Sequence, residues 1–167
     1  MSKVITFSTV FPKHHIQYGE KTFFVEHIVL SLLNEEYQPC IYNTKFCDDY
    51  QMDILWPKHH TIRSGNRFKV GDKFSARIWS GKPYRSKQIE ICSDVVIKKI
   101  YSFSKDLISD DFYLNGKKLN HSQLYTVASN DGLLISEFVG WFNKHFNGQI
   151  ICWSDAIDYD KMIENNL

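Results

Sequence analysis

The chain has 167 residues, a length typical of one domain, and its 43% apolar and 23% charged residues are typical of a globular protein rather than a disordered one. The sequence shows neither a signal-peptide pattern nor an apolar run long enough for a membrane span, so we expect a cytoplasmic protein with no membrane partner. The net charge of +1 is unevenly distributed, because residues 58 to 101 contain eleven Lys or Arg and only three acidic residues. Such a segment attracts anions such as phosphates, although strands with water-facing lysines have the same composition.

The first third of the chain predicts a strand and a helix. Residues 3 to 10 are rich in β-branched side chains, which favours an opening strand. The apolar spacing over 23 to 34 favours a helix with one buried face. Residues 35 to 57 have no clear periodicity and end at Trp56-Pro57.

The rest of the chain predicts mostly strands. The elements expected after residue 72 are strands at 73–79, 86–92 and 94–103, a hairpin at Asn115-Gly116, helices at 121–128 and 135–146, a strand at 149–153, and a peripheral helix in an acidic tail at 155–167. Consecutive strands joined by short turns favour an antiparallel sheet or small barrel. We therefore predict a single α+β domain over 1–167, a small mixed or antiparallel β-barrel with two to four helices.

The four cysteines form no Cys-x-x-Cys pair, which favours free thiols in a reducing compartment. A zinc site built from Cys40, Cys47, His59 and His60 is an alternative, but six residues separate the two cysteines, which is not a zinc-knuckle spacing. We expect no metal and no cofactor.

One loop, KHHTIRSGNRFKVGDKF over residues 58–74, carries a specific pattern. Lys58, Thr61 and Arg63 lie within six residues of each other, and Gly71-Asp72 follows directly before a strand. Asp131-Gly132 precedes the later helix. These elements resemble the ASCH domain, a relative of the RNA-binding PUA fold, which has a Lys-x-x-Thr-x-Arg loop, a Gly-Asp pair and an acidic-Gly step before a helix.

The resemblance implies a PUA-like barrel and a partner that is RNA or a modified nucleoside. Compact members of the family lack the segment 23–57, which is therefore expected to be an insertion, either a lid over the ligand or an extension of the core. Gly19-Glu20-Lys21-Thr22 partly resembles the glycine-to-lysine segment that contains the family lysine, so Lys21 is an alternative to Lys58.

Some small ASCH proteins remove the acetyl group of N4-acetylcytidine with a lysine, a threonine and a glutamate. Those roles fall on Lys58, Thr61 and Asp131, and the aspartate is one methylene shorter than the family residue. Lys58 would take the proton of Thr61 if burial or neighbouring cations at His59, His60 and Arg63 lowered its pKa. Asp131 would orient the lysine, with Glu90 as a second candidate for the acid.

The ligand-binding residues are expected on the same basic segment. Arg63 would hold an oxyanion, and Trp79 or Tyr84 would stack on a base. Phosphates would meet the remaining basic side chains, namely Arg67, Lys82, Arg85 and Lys87. The function predicted is binding of RNA or a nucleoside; the alternatives are an amidohydrolase for acylated nucleosides and a ligand-free structural or phage-encoded interaction protein.

Overall fold

The computed structural model describes residues 2–41 and 44–165, which form a mixed α and β fold. Within these ranges there are eight strands and five helices. In chain order they are β1 (Lys3–Phe7), α1 (Phe24–Asn34), α2 (Asp49–Met52), β2 (His60–Ser64), β3 (Lys73–Trp79), β4 (Gln88–Val96), β5 (Lys99–Lys105), β6 (Phe112–Leu114), β7 (Lys117–Lys118), α3 (His121–Asn130), α4 (Ile135–Trp141), β8 (Phe146–Cys152) and α5 (Tyr159–Glu164). The α+β prediction is confirmed, but the described ranges contain five helices rather than the predicted two to four.

The strands form two sheets. The first has the order β1-β3-β4, with β1 parallel to β3 and β3 antiparallel to β4. The second has the order β2-β8-β5-β6-β7 and is antiparallel throughout. Neither sheet closes on itself within the described ranges, so the predicted barrel is not confirmed.

The helix predicted over 135–146 is shorter than expected. It ends at Trp141, and β8 already begins at Phe146. The apolar spacing of the sequence extends beyond the helix because Phe142 and Phe146 also pack against Phe103, with ring-centroid distances of 5.6 and 6.2 Å. These two residues lie after the helix and at the start of β8, not on one helix face.

The segment 23–57 and the acidic tail both contribute to the core. Helix α1 buries Ile28, Val29 and Leu32 completely, since its apolar residues recur at helical spacing. In the tail, Tyr159 is buried and its backbone N–H donates to the hydroxyl of Tyr101 at 3.2 Å. Neither segment is therefore merely peripheral.

Three parts of the fold meet at one place. Because β1 and β3 are parallel, with Phe7 opposite Ile78, their carboxyl ends lie at the same edge of the first sheet. Strand β2, at the edge of the second sheet, faces this region, and the start of α1 and the end of α3 complete it. Among the described helices, none is both long and apolar enough to cross a membrane.

Candidate functional site

A pocket of about 230 Å³ lies where these elements meet, and we call it the Lys58 pocket. It is lined by Thr6, Phe7, Ser8, Phe24, Lys58, Thr61, Ile62, Arg63, Trp79, Pro83, Tyr84, Asp131, Trp141 and Phe142. Six of the residues predicted from the sequence are in this set: the three candidate catalytic residues, Arg63, and both candidate stacking rings.

Backbone hydrogen bonds to helices α1 and α3 position Lys58 at the pocket. Its N–H donates to the carbonyl of His27 in α1 at 2.9 Å, and the next N–H, of His59, donates to Asn130 at the end of α3 at 2.8 Å. The Lys58 side chain is only 1% exposed. Its Nζ donates at 2.5 Å to both Oδ1 and the backbone O of Asp131 and lies 4.3 Å from the centre of the Phe24 ring.

Asp131 reaches Lys58 because α3 ends there. Its N–H still bonds to Val127, and Gly132 then turns the chain with φ of 79°. Glycine adopts this left-handed conformation without steric cost, as at many helix C-termini. A Cβ at Gly132 would lie 3.4 Å from both the Lys58 Cβ and the His27 ring, so the glycine also allows this close approach.

Burial perturbs the ionisable groups of the pocket. Desolvation lowers the pKa of Lys58 to about 8, with Asp131 acting in the opposite direction and Arg63 adding to the lowering. Desolvation also raises the pKa of Asp131, against the effect of the Lys58 and Arg63 charges. A lysine with a pKa of about 8 can accept and donate protons near neutral pH, as a general base or acid requires.

The two neighbouring histidines are not the cations that the sequence suggested. Burial lowers the pKa of His59 and lowers that of His60 well below its usual value, so both are neutral at pH 7. Nε2 of His60 lies 2.8 Å from the Tyr159 hydroxyl, and its Nδ1 lies 3.6 Å from Oδ1 of Asp131. Desolvation and Arg63, rather than histidine charge, therefore perturb Lys58.

Thr61 and Arg63 reach the pocket from alternate positions of β2, which place both side chains on one face. The Thr61 side chain is buried, and its hydroxyl makes no hydrogen bond with any described residue. Arg63 donates from Nη2 to the carbonyl of Thr6 at 2.8 Å and lies over the Phe7 ring. Burial lowers its pKa to about 10, so it remains a cation at pH 7.

Two aromatic rings form the outer part of the pocket. Trp79 ends β3, and Tyr84 lies in the following loop with a ring-centroid distance of 5.2 Å and an angle of 49° between the rings. Tyr84 is 88% exposed and has a positive φ of 62°. An exposed ring beside a pocket of buried polar groups offers a stacking surface for a planar ligand.

The predicted phosphate-binding side chains do not form one surface. Lys82, Arg85 and Lys87 are exposed in the β3–β4 loop, beside the rim residues Pro83 and Tyr84, but do not line the pocket themselves. Arg67 lies elsewhere, bonding to the carbonyl of Val4 at 3.4 Å.

Two other basic side chains of the segment 58–101 are engaged in ion pairs. Arg77 pairs with Glu90 at 3.4 Å, and Lys98 pairs with Glu35 and Asp155, each at 2.5 Å. Part of the positive charge of this stretch is therefore neutralised by acidic side chains.

The structure separates the alternatives for the site residues. Lys21 pairs with Glu26 at 2.6 Å in a neighbouring pocket, so Lys58 is the lysine beside Thr61 and Asp131. Glu90 accepts from the Ser75 hydroxyl at 2.7 Å and does not line the Lys58 pocket. The residues of the zinc alternative are not grouped for metal binding within the described ranges.

Sequence reasoning missed several lining residues, including Thr6, Phe7, Ser8, Phe24 and Trp141. Thr6 and Phe7 end β1 and Ser8 follows it. Their approach depends on the parallel pairing of β1 with β3, which connects residues about 70 positions apart. A prediction of that pairing would have pointed to the carboxyl end of β1.

The chain matches no protein-family model, and neither the curated proteins nor the solved structures include a significant match. The ASCH resemblance therefore rests on the motif residues alone.

Proposed function

We propose that the Lys58 pocket binds a nucleoside-sized ligand, free or as an unpaired nucleotide of RNA. The observation that carries the proposal is the buried Lys58–Asp131 pair on the wall of an open pocket. A buried ion pair contributes little to stability compared with apolar packing, because desolvation offsets the attraction. Perturbed titratable groups in a cleft are more typical of functional sites.

The size and lining of the pocket support a small planar ligand. Its volume of about 230 Å³ is below the range of about 300 to 1,000 Å³ typical of small-molecule pockets, which limits the ligand to about one base or nucleoside. Trp79 and Tyr84 supply ring faces, and Thr61, Arg63 and Lys58 supply polar groups that can read the edge of a base. Under this proposal the chain is a divergent relative of the ASCH domain, with two open sheets in place of the PUA-like barrel.

Binding is tested with Tyr84→Ala, because that side chain is exposed and its loss should leave the fold intact. Loss of one stacking ring should weaken binding of cytidine or a short single-stranded RNA by about 1–3 kcal/mol, measured by calorimetry or fluorescence anisotropy. Tyr125→Ala, which removes another exposed tyrosine outside the pocket, is the matched control. Equal affinity of both variants for every nucleoside and RNA would contradict the proposal and favour a ligand-free interaction protein.

The second candidate is hydrolysis of an acyl group on the exocyclic amine of a nucleoside such as N4-acetylcytidine. It is favoured by the unbonded hydroxyl of Thr61 in the same pocket as a lysine whose pKa is about 8. Neutral Lys58 would take the proton of Thr61 as its oxygen bonds to the acyl carbon, and would then protonate the amine as the C–N bond breaks. Lys58 would then take a proton from water as the water oxygen bonds to the acyl carbon, and would return that proton to Thr61 Oγ1 as the ester C–O bond breaks and the acid leaves.

Hydrolysis is tested with Thr61→Val and Lys58→Met on N4-acetylcytidine, with release of cytidine measured by chromatography. Thr61→Val keeps the branched shape that suits strand β2 and removes only the hydroxyl. We expect both variants to lose turnover while Thr61→Val still binds the nucleoside. Unchanged turnover in both variants would exclude this mechanism, and no turnover by the native protein would leave binding alone.

A further inference from the structure

A second pocket of about 250 Å³ adjoins the first one, and we call it the Glu26 pocket. The two pockets share Phe24 and Trp79, so they lie side by side with these two rings at their common boundary. The rings of Phe23 and Phe46 also line the Glu26 pocket, together with the side chains of Lys21 and Lys45. Phe23 has a φ of 59°, a left-handed conformation that bulky residues rarely adopt.

Glu26 is a buried carboxylate with one unused oxygen. It lines the second pocket and has 0% exposure. Its Oε1 accepts from Lys21 Nζ at 2.6 Å and from the backbone N–H of Asp48 at 3.2 Å. Its Oε2 has no hydrogen-bond partner among the described residues. A buried acceptor without a partner is costly, and a donor supplied by a ligand would satisfy it.

The charges around Glu26 indicate which donor fits. Lys21 lies over the Phe23 ring at 4.7 Å and Lys45 lies over the Phe46 ring at 4.9 Å. Because Lys21 is already paired with Glu26, a ligand that donates to Glu26 need not be a cation, and the Lys45 ammonium favours a phosphate near the mouth of the pocket. A neutral planar group with an N–H donor, placed between aromatic rings, meets all of these conditions.

We propose that the Glu26 pocket binds a second nucleobase of the same RNA ligand, one with an exocyclic amine that donates to Oε2 of Glu26. Acidic side chains read amino groups of bases in this way. The base would stack on Trp79 and Phe46, and its phosphate would face Lys21 or Lys45. Adenine, cytosine and guanine carry the amine, whereas uracil does not. The inference rests on the proposed function, since the first base would occupy the Lys58 pocket.

The test compares the labelled trinucleotides AUA and UUU by fluorescence anisotropy. Glu26→Gln keeps an acceptor for Lys21 and Asp48 and replaces the unused acceptor with an NH₂ group. It should lower the affinity for AUA about tenfold, the effect of one hydrogen bond to a charged group, and leave that for UUU unchanged. Glu20→Gln, an exposed charge outside the pocket, is the control. Lys58→Met, in the first pocket, should weaken both RNAs.

The outcomes separate the two sites. If Glu26→Gln affects both RNAs equally or neither, while Lys58→Met weakens both, the second subsite is wrong and the first stands. If Glu26→Gln weakens the binding of AUA alone and Lys58→Met weakens neither RNA, the Lys58 pocket is wrong as a base site and the Glu26 pocket stands. If Glu26→Gln does not fold, Phe46→Ala decides: a greater loss for AUA than for UUU supports the subsite, and an equal loss overturns it.

Discussion

The perturbed pKa of Lys58 can be tested through protein stability, without any ligand. Lys58 has an ordinary pKa near 10.5 when unfolded and about 8 in the folded protein, where burial outweighs the attraction of Asp131. Below pH 8 both states carry the proton, and the folded state bears the full cost of a buried ammonium. Between pH 8 and 10.5 the folded state loses the proton first, so this cost is relieved as pH rises.

The size of the effect follows from the difference between the two pKa values. At about 1.36 kcal/mol for each unit of pKa, it corresponds to roughly 3 kcal/mol. The native protein should therefore gain about this much free energy of unfolding over the window from pH 8 to 10.5. Lys58→Met, which has no titrating group, should not gain it.

The assay is urea unfolding at several pH values, followed by tryptophan fluorescence, since Trp153 is fully buried. Titrating groups that do not interact with Lys58 are common to both proteins and cancel in the difference between the two stability profiles. A difference that rises by about 3 kcal/mol from pH 8 to 10.5 supports the perturbed lysine. A flat difference would refute it and remove Lys58 as a general base near neutral pH.

Three further predictions concern neighbouring groups. Asp131 raises the pKa of Lys58, so Asp131→Asn should lower it by about one unit or more. In a pH–rate profile of any hydrolysis, the rate should therefore begin to rise at a lower pH than in the native protein. Gly148→Ala would put a Cβ 2.1 Å from the carbonyl oxygen of Arg63, so thermal unfolding should show a loss of about 1–3 kcal/mol as β2 is pushed from β8. If an RNA phosphate contacts the β3–β4 loop, Arg85→Gln should reduce the salt dependence of log affinity by about 0.7; an unchanged slope would exclude that contact.

Local patterns in the sequence were enough to predict most of the elements. The hairpin at Asn115-Gly116 is confirmed, because both residues adopt the positive φ values that a tight turn requires and that these residue types tolerate. Strand β3 occupies the predicted residues 73–79. Lys58, Thr61 and Arg63 were found because they are close together in the chain. The segment predicted as a loop is in fact a strand at His60–Ser64, with Lys58 just before it.

Only the tertiary structure determined how distant segments complete the pocket. It brings Asp131 to Lys58 across 73 positions, pairs β1 with β3 in parallel, and leaves both sheets open within residues 2–41 and 44–165. It also makes His60 neutral and Lys58 a lysine with a pKa of about 8, because burial determines the cost of charge. Sequence periodicity reports which face of an element is apolar. Burial, pairing and pKa depend on what packs against that face, and for this chain those partners come from distant parts of the sequence.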